Sequence, residues 1–352
     1  MGILALLLSL YRSTSPPATQ EVVRPFPCLL DLPSEMLLHI ASFLPVGSAA
    51  LLALCNHSTS CILGPQYWEK LQTVPPRERE EFLLTLERDL PAFIFCHRCA
   101  KLHLPDDRGT GAVVRFPHER KDERPCFRAD LRTGTYRYFH HAFRFEHVQM
   151  IMKRHRLGLD NNAHLQRLSM TETFYRPTHN YQVSMEVRVE SDELLVRAQH
   201  RLLIPTGHPI QMPKVGFAHL CRHLQSPIRK DYLWKLLHCR MDHLNNEEHP
   251  CSRCTGLKQC RSCPTEFQID VKDFQSQGIA IVITRWLDLG RGESPVDPKW
   301  GSHLWYSGKG LSPYEGRFEF AAGSLRSAFE RQEQFSFDSV MTSDSTRKLL
   351  QR

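Results

Sequence analysis

The chain has 352 residues, of which 41% are hydrophobic and 24% charged, and a formal net charge of +7. That balance fits an ordinary globular protein of one large or two smaller domains, and no apolar run reaches the length of a membrane-spanning helix, with the apolar N-terminus the one place where a signal anchor is the alternative. Six of the twelve cysteines stand in three CxxC pairs, which favours metal binding in a reducing compartment, cytoplasm or nucleus, over secreted disulfides.

From the start, Ile3 to Leu10 is apolar apart from Ser9, with no basic residues before it and no small-residue cleavage site. It reads as a short tail. Tyr11 to Pro27 is rich in Ser, Thr and Pro, so residues 1–27 read as a flexible leader. Asp31 to Leu71 reads as three short helices. Pro33 suits a first helical turn, and Asp31 and Glu35 place negative charge near that helix start. Met36, Leu37, Ile40, Phe43 and Leu44 form an apolar stripe, and Pro45 stops the helix. A second helix from about Ser48 to Asn56 carries Leu51, Leu52, Leu54 and Cys55, and a third short turn carries Trp68 and Leu71. So small a unit cannot bury all its apolar surface alone.

The order and spacing of Leu32-Pro33, Ile40, Leu44-Pro45, Leu52, Cys55 and Trp68 resemble the F-box, over about forty residues. The chain is similar to F-box proteins of the kind abundant in filamentous fungi, with residues 28–74 as the F-box. A looser likeness to their C-terminal regions lies in the CxxC pairs and the Thr-Glu-Phe run after the last pair. The resemblance implies docking onto the Skp-type linker of a cullin–RING ubiquitin ligase. Leu32, Pro33, Leu37, Ile40, Leu44, Pro45, Leu52 and Trp68 would form the docking surface. Such a chain is a non-catalytic adaptor that presents an unknown substrate protein.

Residues 75–334 read as an α+β domain: a mainly antiparallel sheet with helices and CxxC zinc knuckles. Arg77 to Leu90 reads as a helix with Phe82, Leu83, Leu86 and Leu90 on one face. Cys96 and Cys99 form the first CxxC pair. His103 and Cys126 would complete a Cys3His zinc site, while buried free thiols are the plainer alternative. Between Arg115 and Arg156 stand eleven Lys/Arg against five Asp/Glu. A solvated face explains this mixed segment most simply, and recognition of a phosphorylated degron through Arg124, Arg128 and Arg132 is the sharper alternative. No nucleic-acid recognition motif accompanies the charge.

Tyr136 to Phe143 reads as a strand. Phe145 to Leu157 reads as a helix with Phe145, Val148, Ile151 and Met152 inward, a basic last turn that suits the helix dipole, and Gly158 just beyond. Val183, Met185, Val187 and Val189 alternate with polar residues, and Leu194 to Ile204 continues the pattern after a turn at Glu190 to Glu193, which predicts an antiparallel hairpin. A helix beginning at Ser226-Pro227 carries Leu233, Trp234, Leu236 and Leu237, with Cys221, His223, Cys239 and His243 around it as possible extra ligands.

Cys251, Cys254, Cys260 and Cys263 form the strongest chemical signal: four thiols within thirteen residues, with no room for a strand or helix between the pairs. Two arrangements stay open. All four bind one zinc ion, or each pair binds its own ion, completed by Cys96/Cys99 or by Cys221/His223. Either reads as structural rather than catalytic. Phe267 to Val271 and Ile279 to Trp286 read as strands, Gly290 to Gly316 as a long loop with Trp300, Trp305 and Tyr306, Ser324 to Glu333 as a last helix, and 335–352 as a disordered tail. Gly-rich phosphate loops, HExxH and G-x-S-x-G are absent, so an enzyme reading has no residues to rest on. The alternative to the adaptor is a zinc-stabilised protein- or nucleic-acid-binding module whose helical N-terminal unit is purely structural.

Overall fold

A computed structural model describes residues 31–97, 99–104, 144–176, 179–207, 220–221, 223–224, 232–244, 251–274, 278–304 and 316–331. The leader, Cys126, the strand expected at 136–143, Ser226-Pro227, Trp305, Tyr306 and the C-terminal tail lie outside them. The fold is α+β, with an N-terminal helical region and an antiparallel six-stranded sheet. The chain divides into two compact units, the first ending at Phe82 and the second starting at Leu83. Among the described residues no helix is long and apolar enough to cross a membrane.

The first unit holds α1 (Ser34–Phe43), α2 (Val46–Leu54), α3 (His57–Leu63) and α4 (Gln66–Lys70), followed by the start of α5 (Pro76–Asp89). Pro33 and Pro45 are extended residues just ahead of α1 and α2, so each proline opens a helix without forfeiting an amide bond. The single turn expected after α2 is two helices. Asn56 and Thr59 form a reciprocal capping box that starts α3, with Thr59 N–H donating to Asn56 Oδ1 at 2.8 Å. Gly64, at φ +67°, ends it. The core of this unit is not the expected leucine stripe alone. Leu37 and Ala41 point inward from α1, and Gly47, Ala49, Ala50 and Ala53 from α2. Small residues let the helices approach closely: a Cβ on Gly47 would meet the Cβ of Phe82 at 3.3 Å.

In the second unit, β1 (Ile94–Cys96) and β2 (Lys101–His103) form a small hairpin. α6 (Phe145–Arg156) and α7 (Asn162–Leu168) precede the main sheet. Its strands are β3 (Met170–Arg176), β4 (His179–Glu190), β5 (Glu193–Ile204), β6 (Lys258–Cys260), β7 (Thr265–Asp273) and β8 (Ile279–Asp288), in the order β3-β4-β5-β8-β7-β6. α8 (Tyr232–Asp242) lies between β5 and β6 in sequence, and α9 (Pro298–Ser302) and α10 (Ser324–Glu330) follow β8. The expected β4–β5 hairpin is present. It turns on Ser191 and Asp192, both left-handed at φ 50° and 60°, the geometry of a two-residue turn that matches strand twist.

Alternation along the strands gives the sheet two different faces. On one, α6 packs Phe145, Val148, Ile151 and Met152 against Met185, Val187, Leu194, Val196 and Leu287. On the same face α8 packs Leu233, Leu236 and Leu237 against Leu202, Ile204, Phe267, Ile269, Ile281 and Ile283. Trp300, on α9 inside the expected long loop, staples that loop to the α6 cluster. On the opposite face α10 packs Leu325 and Phe329 on Leu195 and Trp286. Buried polar contacts fasten it there. Glu330 accepts from Trp286 Nε1 at 2.7 Å and from Arg197 at 2.8 Å, while Glu266 accepts the N–H groups of Gly323 and Arg326.

The basic last turn of α6 is not simply a solvated partner for the helix dipole. Lys153 is 5% exposed and donates to the carbonyls of Glu87, Leu90 and Phe93. These carbonyls lie at and just beyond the C-terminal end of α5, where those of Glu87 and Leu90 also accept the backbone N–H groups of Leu90 and Phe93. Burial pushes the Lys153 ammonium down from its usual pKa, and Glu87 opposes that shift.

Candidate metal centres and an exposed apolar surface

The four clustered cysteines do not share one site. Cys260 and Cys263 lie with Cys221 and His223, whereas Cys251 and Cys254 lie with Cys239 and His243; within each set the donor atoms are within 4.8 Å of one another. We term these centres A and B. A strand does fit between the two CxxC pairs: β6 ends at Cys260 and pairs with β7, so the chain turns back through Cys260 to Cys263. Centre A therefore closes the chain from residue 221 to 263, and centre B sits inside that loop, closing 239 to 254.

Local structure supplies the spacing. In centre B, Cys239 and His243 are four residues apart at the end of α8, one helical turn, so both side chains share a face. Cys251 and Cys254 form a tight turn in which the N–H groups of Cys254 and Thr255 donate to the Cys251 carbonyl at 3.1 and 2.9 Å. In centre A the hairpin turn places the Ser262 N–H 3.4 Å from Cys260 Sγ. Such N–H groups aimed at sulfur favour the thiolate, the form that binds metal.

The thiol electrostatics fit a divalent cation. Cys260 is held far below the usual thiol pKa by hydrogen bonds from Cys221 and Cys263, whereas burial pushes Cys221 up to about 12 and Cys263 well above its usual value. Protons thus hold one thiolate among three crowded sulfurs, and a cation at their centre would allow all three to ionise. Centre B repeats the pattern. Cys251 is brought down to about 7 by the backbone N–H groups of Cys254 and Arg253, and burial raises Cys254 to about 12. Three thiols and one imidazole make a closed four-donor set in each centre, which leaves no position for a substrate or water.

A third set, centre C, is Cys96, Cys99 and His103 on the β1–β2 hairpin, with Cys99 Sγ 2.8 Å from His103 Nε2. The described residues bring three donors together here, and Cys126 lies outside them. Of the partners the sequence offers for a separate ion at each CxxC pair, Cys221/His223 lie with Cys260 and Cys263 and Cys96/Cys99 do not join either pair, while Cys239 and His243 stand out in the sequence only as possible extra ligands beside a helix. Cys239-x3-His243 is the readable part, since i,i+4 spacing on a helix aligns two ligands.

The predicted docking residues divide by burial. Leu32 and Leu44 are exposed, as are Pro33 and Pro45; Ile40, Leu52 and Trp68 are half-buried. Leu37 is 1% exposed and belongs to the unit's own core, and the Trp68 ring makes an edge contact with Phe82 at 6.1 Å. Two side chains of the apolar stripe, Met36 at 48% and Phe43 at 76% exposed, stand outward instead, together with Leu38. Of the nine large hydrophobic residues exposed among the described residues, five fall between Leu32 and Leu44. In the basic segment, Lys153 is buried, Arg154 donates to the Asp160 carbonyl at 2.7 Å and Arg156 to that of Arg291 at 2.9 Å, so these three charges serve the fold; Arg124, Arg128 and Arg132 lie outside the described residues.

Comparison with known proteins finds no matching family model, no matching curated protein and no matching solved structure.

Proposed function

We propose that the chain is a non-catalytic substrate-recognition adaptor of a cullin–RING ubiquitin ligase. In this reading the N-terminal unit docks onto a Skp-type linker, and the sheet unit, held by zinc at centres A and B, presents a substrate protein. The observation that carries the docking is the concentration of exposed Leu32, Met36, Leu38, Phe43 and Leu44 in one thirteen-residue stretch. Helices of a self-sufficient unit turn their large apolar side chains inward, whereas here α2 gives its core positions to Gly47 and alanines while five large residues between Leu32 and Leu44 remain outside. The Leu-Pro pairs that carry the F-box resemblance lie at both ends of that stretch. Zinc suits the closed Cys3His donor sets, since it accepts thiolate and imidazole together in four-coordinate structural sites.

The test is capture of the purified full-length chain by a Skp-type linker. The adaptor reading expects binding by the wild type, and loss of binding in Leu44→Asp and Phe43→Asp with the far-ultraviolet circular dichroism unchanged. A folded, metal-loaded wild-type chain that does not bind the linker overturns it. One observation favours the alternative of a zinc-stabilised binding module with a purely structural helical unit. Leu37 and Trp68, two of the eight residues named for docking, pack within the unit itself. A nucleic-acid affinity falling steeply with salt would support that module's nucleic-acid form.

A further inference from the structure

Between the patches covered by α6 and α8, the inward face of the central strands carries a polar line through an apolar layer. Arg285 on β8 is 1% exposed and stands opposite Ala198, whose small side chain leaves room for a guanidinium. Arg285 Nη2 donates to His200 Nε2 at 2.9 Å, and His200 Nδ1 lies 2.7 Å from Tyr181 Oη. These contacts fix the tautomer. Guanidinium only donates, so His200 Nε2 must hold the lone pair; the neutral ring then carries its proton on Nδ1, which donates to Tyr181. The other arm, Arg285 Nη1, donates to the carbonyl of Leu220 at 3.3 Å, and the next residue is the centre A ligand Cys221.

We propose that Arg285 is the positioning residue and counter-ion of centre A. One arm of its fork holds the Leu220–Cys221 segment against the sheet while the other is fixed by His200, and its charge balances the centre. The charge arithmetic requires a partner of this sign. Three thiolates and one neutral imidazole around a divalent cation leave one net negative charge, and a buried charge is costly unless compensated. His200 and Tyr181 hold the guanidinium in one orientation, as outer partners of metal ligands do. The inference rests on centre A binding zinc, and it predicts that a residue on the central strand tunes this centre and not centre B.

The experiment follows zinc release from the full-length chain to an excess of a chromophoric chelator. Cys263→Ser and Cys254→Ser assign the release phases to centres A and B. Arg285→Met is expected to speed release from centre A at least about tenfold, with centre B unchanged. Arg285→Lys, which keeps the charge and loses the fork, falls between wild type and Arg285→Met, and His200→Phe shifts the rate in the same direction by less. Cobalt substitution gives a second readout: the ligand-field bands of centre A move in Arg285→Met and those of centre B do not. A folded Arg285→Met chain with unaltered release and bands overturns the role of Arg285 while the zinc site stands. If Arg285→Met does not fold, unaltered release in Arg285→Lys overturns it equally. A wild-type chain holding no zinc that Cys263→Ser removes overturns the metal site itself.

Discussion

The two compact units solve the problem of a limited core in opposite ways. In the helical unit Leu37, Leu63, Tyr67, Leu71 and Phe82 are buried with the small Ala41, Ala49, Ala50 and Ala53, and other large apolar groups such as Phe43 are left on the surface. In the sheet unit apolar residues are buried on both faces of the sheet, and charged or polar groups are buried with them: Arg285, Glu266, Glu330, Lys153 and the thiols of centre A. The first leaves apolar surface uncovered, and the second crowds the thiols of centre A together, where they need a cation to ionise jointly. A protein surface completes the first kind of deficit through hydrophobic burial, and a cation completes the second through coordination. The contrast joins the adaptor reading to the proposed zinc sites.

The largest expected effect tests the second half of that contrast. Stripping metal with a strong chelator should abolish protection from hydrogen exchange across residues 251–273, with α1 to α4 keeping theirs, because structural zinc in small sites contributes on the order of 10 kcal/mol of apparent folding free energy. Equal loss in both units would erase the distinction. Next in size is Glu330→Ala, which takes the buried acceptor from Trp286 Nε1 and leaves Arg197 paired with Glu186 alone. It should lower stability by about 3 kcal/mol in denaturant titrations. Lys153→Met, which removes the donor shared by three carbonyls, should cost about 3 kcal/mol by the same measurement. Within the helical unit, Leu37→Ala should cost about 2–5 kcal/mol, whereas Met36→Ala should change stability by less than about 0.5 kcal/mol. Similar costs for the two would mean that the surface of α1 is not a spare one.

Periodicity made much of this fold legible. The period-two run from Val183 to Ile204 locates the central hairpin, and the 3.6-residue spacing of Phe145, Val148, Ile151 and Met152 gives α6 its inward face. β6 escapes because three residues carry no period, and β3 and α7 are missed for a related reason: each is only seven residues long. The CxxC pairs mark metal chemistry, but their division between two centres depends on ligands such as Cys221, 39 residues before Cys260, which the sheet and α8 bring together. Arg285 is hidden for another reason. It interrupts an apolar strand, where sequence alone suggests an edge or solvent, and only the register opposite Ala198 shows that it is buried. The apolar stripe on α1 is visible in the sequence. Which half of it faces out is not: Leu37 is buried while Met36 and Phe43 are exposed, a division that depends on where the other helices lie.

The most direct test of the central claim is the affinity of full-length wild type and Phe43→Asp for a Skp-type linker, measured with folding and zinc content verified in both. The adaptor reading predicts a stable complex for the wild type and at least a hundredfold weaker binding for Phe43→Asp, on the order of 3 kcal/mol, as for loss of a buried aromatic anchor. No complex with the wild-type chain, or equal affinity in the two, would contradict it.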